Sequence, residues 1–282
     1  MSWNTIDSDA GVFSELVERL GVKNVQFDEL YSIDSESLTA LAPVHAVIFL
    51  FKYVPSPPSG DYDRDYLEKG IFFARQTIPN ACATQAVLHA LLNKTDVIDI
   101  GPELSGLRDF VSSFDPDTCG DALSNSETLR QVHNSFSAPV LVEEDGPSDS
   151  GADAFHFVAY LHMHDHMYEL DGLRPFPIRH EQVNPEDFYT QLPNVLARRI
   201  SSFEGEIRFS LLAVTNDKLV QYAEQGDDMA MQQELSKRDT WKRENELRRH
   251  DFAPLVVELL RNITKDMSDD EFETLLKGKP RK

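Results

Sequence analysis

Two rhythms of apolar and polar positions run along the chain, and they mark where strands and helices are expected. Residues 46–53 (AVIFLFKY) form a short, nearly continuous apolar run after Pro43, followed by the breaker-rich VPSPPSGD. A run of this length bounded by Pro and Gly predicts a buried strand rather than a helix. Further strands are expected at residues 155–161, 167–170 and 207–214. Helical spacing lies between them at residues 11–20, 83–92 and 125–136, with Ser124 and Glu127 at capping-box spacing before the last. Strands interleaved with helices predict an α/β domain.

Beyond Val214 the pattern changes. Residues 216–249 are polar, charge-rich and free of proline, as expected of one long exposed helix. Phe252, Leu255, Val256, Leu259, Leu260 and Ile263 then recur at spacings of three and four, on one helical face. So small a piece has no means of burying that face by itself: it packs on the main domain or presents the stripe to another protein. Two units are expected, residues 1–218 and 219–282. Residues 141–154 (LVEEDGPSDSGADA) have no apolar period after Val142 and read as a mobile loop of the functional kind.

Composition narrows the function classes. The formal charge of -21, from 27 basic and 48 acidic residues, opposes binding to nucleic acid or anionic membranes and suits a basic polypeptide partner. The two cysteines, Cys82 and Cys119, are too few for a disulfide framework and lack the spacing of a zinc site, pointing to a reducing compartment. There is no apolar N-terminal targeting segment and no run long enough to span a bilayer, so a cytoplasmic or nuclear location is expected.

The candidate chemistry centres on QTIPNACATQAVLHALL, residues 76–92, where Asn80 is suited to cap a helix and Cys82 falls in its first turn. A thiol there feels the positive end of the helix dipole, which favours the nucleophilic thiolate; the alternative is a buried structural cysteine. His156 lies on one expected strand and Asp171 just past the next, with a turn near His164 and Asp165 between them. The register of such a hairpin puts the two side chains opposite or diagonal by one step on one face, within reach of an imidazole–carboxylate hydrogen bond. Taken singly, His156 also reads as a core histidine and Asp171 as a turn carboxylate. Gln76, six residues before the cysteine, offers an amide donor for an oxyanion beside the backbone N–H of Cys82. Cys119 reads as incidental. His162, His164 and His166 straddle the turn with no completing carboxylate, so no metal is expected, and no cofactor.

With these residues in place, the sequence resembles the ubiquitin C-terminal hydrolases. QTIPNACATQA is similar to the family's Gln and Cys motif, and DAFHFVAYLH with ELDGLRPFPI to its His and Asp motifs. SDAGVFSELVERLGV, PVHAVIFLFKY, LSNSETLRQVHNSF and EGEIRFSLLAV extend the likeness over residues 1–218. The resemblance implies a papain-like α/β core of a central sheet flanked by helices, with a knotted path, followed by a helical C-terminal extension. It assigns Cys82 as nucleophile, His156 as general base and acid, Asp171 as the group orienting His156, and Gln76 as oxyanion donor, in hydrolysis at the terminal glycine of ubiquitin. It further implies that residues 143–154 form an active-site crossover loop, whose Glu143, Glu144 and Asp145 attract ubiquitin's basic tail. The SDAGVF segment, with Ala10, Gly11, Val12 and Phe13, is similar to a ubiquitin-contacting edge. WKRENELRRHDFAPLVVELLRNI resembles the extension of the proteasome-associated member, implying docking to a proteasomal ubiquitin receptor through residues 219–282, and a chromatin-remodelling complex as a nuclear partner.

Overall fold

The strands that the apolar runs predict assemble into one sheet, in a computed structural model that describes residues 3–137, 155–201, 208–265 and 267. The chain opens with α1 (Ala10–Arg19), β1 (Val25–Glu29), α2 (Ser35–Ala40), β2 (Val44–Lys52) and β3 (Asp61–Tyr62). Four helices follow: α3 (Cys82–Leu91), α4 (Gly101–Val111), α5 (Pro116–Ser124) and α6 (Glu127–Asn134). Then come β4 (Phe155–Met163), β5 (His166–Leu170), β6 (Ile178–Gln182), α7 (Phe188–Ser201) and β7 (Phe209–Asn216). The chain ends in α8 (Lys218–Gln225), α9 (Asp228–Arg249) and α10 (Ala253–Thr264). Among the described residues no helix is long and apolar enough to cross a membrane.

The seven strands pair in the order β1-β7-β2-β4-β5-β6-β3, and every pairing is antiparallel. Because β7 lies between β1 and β2, β1 joins the rest of the sheet only through a strand far along the chain. Side chains alternate between two cores. Phe157, Ala159 and Leu161 of β4 join α1 and α3 on one face, whereas Val158 and Tyr160 join Leu192, Val195 and Leu196 of α7 on the other. Burial on both faces is why residues 46–53 read as a continuous apolar run instead of an alternating one.

Several local expectations change. The helix expected from residue 125 starts at Glu127, because α5 runs through Ser124 and the first residue free to cap is Ser126, whose oxygen accepts the Leu129 N–H. The capping box of Ser124 and Glu127 therefore does not form. α5 was not anticipated, although its start has a local signal: Asp115 caps it ahead of Pro116, a usual helix start. The single long helix expected over residues 216–249 is two, since Gly226 takes a left-handed φ of 69° after α8 and Asp227 caps α9.

Nor is α9 wholly exposed. Trp241 covers Gly11, where an added Cβ would lie 2.6 Å from the indole. The buried Asn245 donates to the Gly11 carbonyl (3.1 Å) and Glu15 Oε2 (2.7 Å), and Arg248 reaches Asp9 (3.0 Å). Arg238 binds Asp217 and the Gln26 side chain. The first half of the expected extension is thus fastened to the main unit. The stripe of α10 is not buried on the main unit among the described residues: Leu255, Leu259 and Ile263 are 54%, 52% and 57% exposed. Replacing Asn245 by Ala removes its hydrogen bonds to the Gly11 carbonyl and the Glu15 carboxylate and should cost about 1–3 kcal/mol. In a thermal melt that is a Tm fall of about 2–4 °C for each kcal/mol.

Candidate active site

Three segments converge where α3 begins. Residues 74–77 run beside the turn after β5: the Gln76 N–H donates to the Gly172 carbonyl (2.8 Å) and the Arg75 N–H to the Pro116 carbonyl (2.8 Å). Asn80 does not cap α3, contrary to the expectation. It takes a left-handed φ of 66°, which Asn tolerates, and its side chain donates to the Trp3 carbonyl (3.1 Å). No side chain caps α3, so its first-turn N–H groups stay available, with half-buried Cys82 at the first position.

The β4–β5 hairpin has the expected turn. His164 and Asp165 adopt φ of 46° and 56°, both left-handed as a type I′ turn requires, and the ladder runs from Met163–His166 to Ala159–Leu170. That ladder stops short of His156, whose direct partner is Phe51 of β2, so Asp171 reaches it diagonally from beyond the end of β5. His156 Nε2 and Asp171 Oδ1 lie 2.6 Å apart, with the carboxylate fully buried. Phe51 and Tyr53 each present a ring at 84° to the imidazole, with centroids 5.9 Å away.

Burial disfavours a charged His156, yet donation by the imidazolium to the Asp171 carboxylate, together with the attraction of that carboxylate and of the Cys82 sulfur, outweighs it and raises the imidazole to about 9. Burial likewise opposes ionisation of Asp171. The His156 hydrogen bond and charge, the Leu173 N–H (2.9 Å) and the Arg174 guanidinium (3.3 Å) nevertheless hold its carboxyl below the ordinary range. A cysteine beside an imidazole that a carboxylate contacts is a set of groups that suits nucleophilic acyl transfer.

The Gln76 side chain donates to the Ile78 carbonyl (3.1 Å), and its Oε1 has no partner among the described residues. Cys119 is buried in α5, and burial pushes its thiol up to about 12. His162 and His166 bond the Val183 and His164 carbonyls. Ala10, Gly11, Val12 and Phe13 do not form an exposed edge. All four are buried, because Asp9 caps α1 there, α9 covers Gly11, and Phe13 packs on Phe27 and Phe157. Glu143, Glu144 and Asp145 lie outside the described residues. Arg174, Phe51 and Tyr53 were not anticipated; Arg174 stands inside the ELDGLR motif, but its role is visible only once Asp171 is placed.

The family model for ubiquitin carboxyl-terminal hydrolase, family 1, matches residues 3–201. The chain belongs to this family. It is accordingly an enzyme, a hydrolase. A second model, for ubiquitin carboxyl-terminal hydrolases, matches residues 228–267, which hold α9 and α10. Ubiquitin carboxyl-terminal hydrolase 2 of Schizosaccharomyces pombe is 44% identical over 282 residues, covering 95% of this chain and 93% of that protein. Ubiquitin carboxyl-terminal hydrolase ubh-4 of Caenorhabditis elegans is 36% identical, covering 94% and 88%. The crystal structure of Trichinella spiralis UCH37 bound to ubiquitin vinyl methyl ester is similar at a TM-score of 0.67 and 33% identity, over 86% of this chain and 98% of that one.

The His156–Asp171 pair carries a sign for stability. His156 is raised from 6.5 to about 9 in the fold, so its contribution is complete below pH 6.5 and is lost as the pH climbs through about 9. Asp171, held low, loses its share only on acidification through the carboxylate range. In thermal melts the Tm deficit of Asp171→Asn should therefore be widest just below pH 6.5 and narrow as the pH rises to 9. A deficit that does not change over that interval contradicts the assignment of the imidazolium to this pair.

Proposed function

We propose that this protein is a deubiquitinase that hydrolyses bonds to the C-terminal glycine of ubiquitin, with Cys82, His156 and Asp171 as the reacting triad. The observation that carries the reading is the 2.6 Å contact between His156 and Asp171, with the Cys82 sulfur among the groups that raise the same imidazole. The ubiquitin-bound structure of Trichinella spiralis UCH37 supports the choice of substrate. Cys82 Sγ attacks the glycine carbonyl while His156 holds the thiol proton. The tetrahedral oxyanion is met by the Cys82 N–H and the Gln76 amide. Collapse expels the amine, which takes the proton from His156, and leaves a thioester. Water, deprotonated by His156, then attacks that thioester; ubiquitin leaves with a free carboxylate and the thiol is restored. Asp171 keeps the imidazole in one tautomer and orientation throughout.

The exposed apolar face of α10, next to a helix fastened to the main unit, supports a docking role for the C-terminal segment, with a proteasomal ubiquitin receptor as partner. A chromatin-remodelling complex is the nuclear counterpart, and the enzyme works in cytoplasm and nucleus. Residues 1–218 carry the chemistry and residues 219–282 the docking.

With a ubiquitin–fluorophore conjugate, Cys82→Ala should reduce turnover by at least about 10³-fold and abolish covalent capture by ubiquitin vinyl methyl ester. Equal rates for the variant and the wild type would refute the nucleophile. In the alkaline range kcat should decline as His156 loses its proton near 9. For docking, Leu259→Asp should end co-purification with the receptor and leave the melting temperature within about 1 °C, since an exposed substitution has little effect on folding. A large fall in melting temperature would instead assign the stripe to internal packing.

A further inference from the structure

The fully buried Asp171 carboxylate has two oxygens to satisfy. Oδ1 meets His156 and the Leu173 N–H, whereas Oδ2 receives, among the described residues, only Arg174 Nε at 3.3 Å. The same guanidinium extends Nη2 to the Ser56 carbonyl at 2.8 Å, and its side chain is 15% exposed. Ser56 stands in residues 54–59, the proline-rich stretch that leaves β2 directly after Tyr53, whose ring edges the imidazole. This stretch is pinned again from behind. Arg199 Nη1 donates to Ser56 Oγ (2.8 Å), and Ser59 Oγ donates to Glu169, two residues before Asp171. One guanidinium therefore joins the carboxylate behind His156 to the segment that seats Tyr53 in front of it.

We propose that Arg174 is the positioning residue of this active site: it bridges Asp171 Oδ2 to the Ser56 carbonyl and so sets the carboxylate plane and the Tyr53 contact that together hold His156. The inference rests on the triad assigned above. Without Arg174, Oδ2 is a buried acceptor with no donor among the described residues. Rotating the carboxylate toward another donor would turn Oδ1 away from the imidazole. Lysine supplies the charge but not two donors in a rigid fork, so charge alone does not replace the bridge.

The test measures kcat and KM of the full chain on a ubiquitin–aminocoumarin conjugate for wild type, R174A and R174K, each with a thermal melt, and with guanidinium ion added back to R174A. Misplacing the imidazole should lower kcat by about 10- to 100-fold in both variants while KM stays within about two-fold. Guanidinium ion should return part of the lost kcat to R174A. Unchanged kcat in R174A, wild-type kcat in R174K, or a loss confined to KM overturns the proposal. If R174A does not fold, the lysine variant decides: folded with reduced kcat it supports the bridge, and fully active it overturns it. A wild type that fails to turn over the conjugate sinks the triad reading and this inference with it, whereas an active wild type indifferent to Arg174 sinks this inference alone.

Discussion

The geometry depends on one constraint: His156 and the helix carrying Cys82 belong to different faces of the sheet. Along β4, Phe157, Ala159 and Leu161 point into the core that α3 helps to build. His156 lies opposite Phe51, whose side chain belongs to the other core. A thiol in the middle of α3 would be screened from His156 by the strand itself. The two meet because each is at the end of its element, Cys82 at the first position of α3 and His156 at the second of β4. Asp171, just past β5, completes the cluster from the same edge. Irregular backbone at strand and helix ends lets these side chains approach diagonally, where a regular ladder would hold them in fixed rows.

That edge location has an electrostatic consequence. Asp171, His156 and the neighbouring Glu169 are almost completely removed from water, and each compensates with more than one partner. Glu169 is held below its ordinary range despite burial by His180, Arg199 and Ser59. Buried ion pairs of this sort add little net stability, because desolvation offsets much of the attraction, but removing one member leaves a charge with nothing to balance it. Here the buried charges surround the reacting end of the sheet, so their contribution lies in orientation more than in stability.

The C-terminal helices divide the same kind of work. α9 is drawn into the main unit by Trp241 over Gly11, by Asn245, and by Lys237 at the buried Asp28, which Lys218 of α8 also binds. α10 stays on the surface with its apolar stripe uncovered. The compositional break after Val214 is real, but the structural division lies further along, between a helix fastened to α1 and one that is not.

The sequence by itself determined the elements whose signal is local. The apolar run at residues 46–53, the hairpin turn at His164 and Asp165, the helix starting at Cys82 and the amphipathic stripe of α10 all follow from periodicity and turn chemistry. The resemblance of short motifs to one family singled out Gln76, Cys82, His156 and Asp171, of which His156 and Asp171 are in direct hydrogen-bond contact. Tertiary structure alone decided what depends on neighbours distant in the chain. Asn80 bonds to Trp3 instead of capping α3, Ser124 is consumed by α5, and Ala10 to Phe13 are buried under Phe27, Phe157 and Trp241. Arg174 acquires a role only when Asp171 and Ser56, 118 residues from it, are brought to one guanidinium. Periodicity reports which face of an element is apolar; which atoms satisfy a buried carboxylate or a helix terminus is settled only when all the segments have packed.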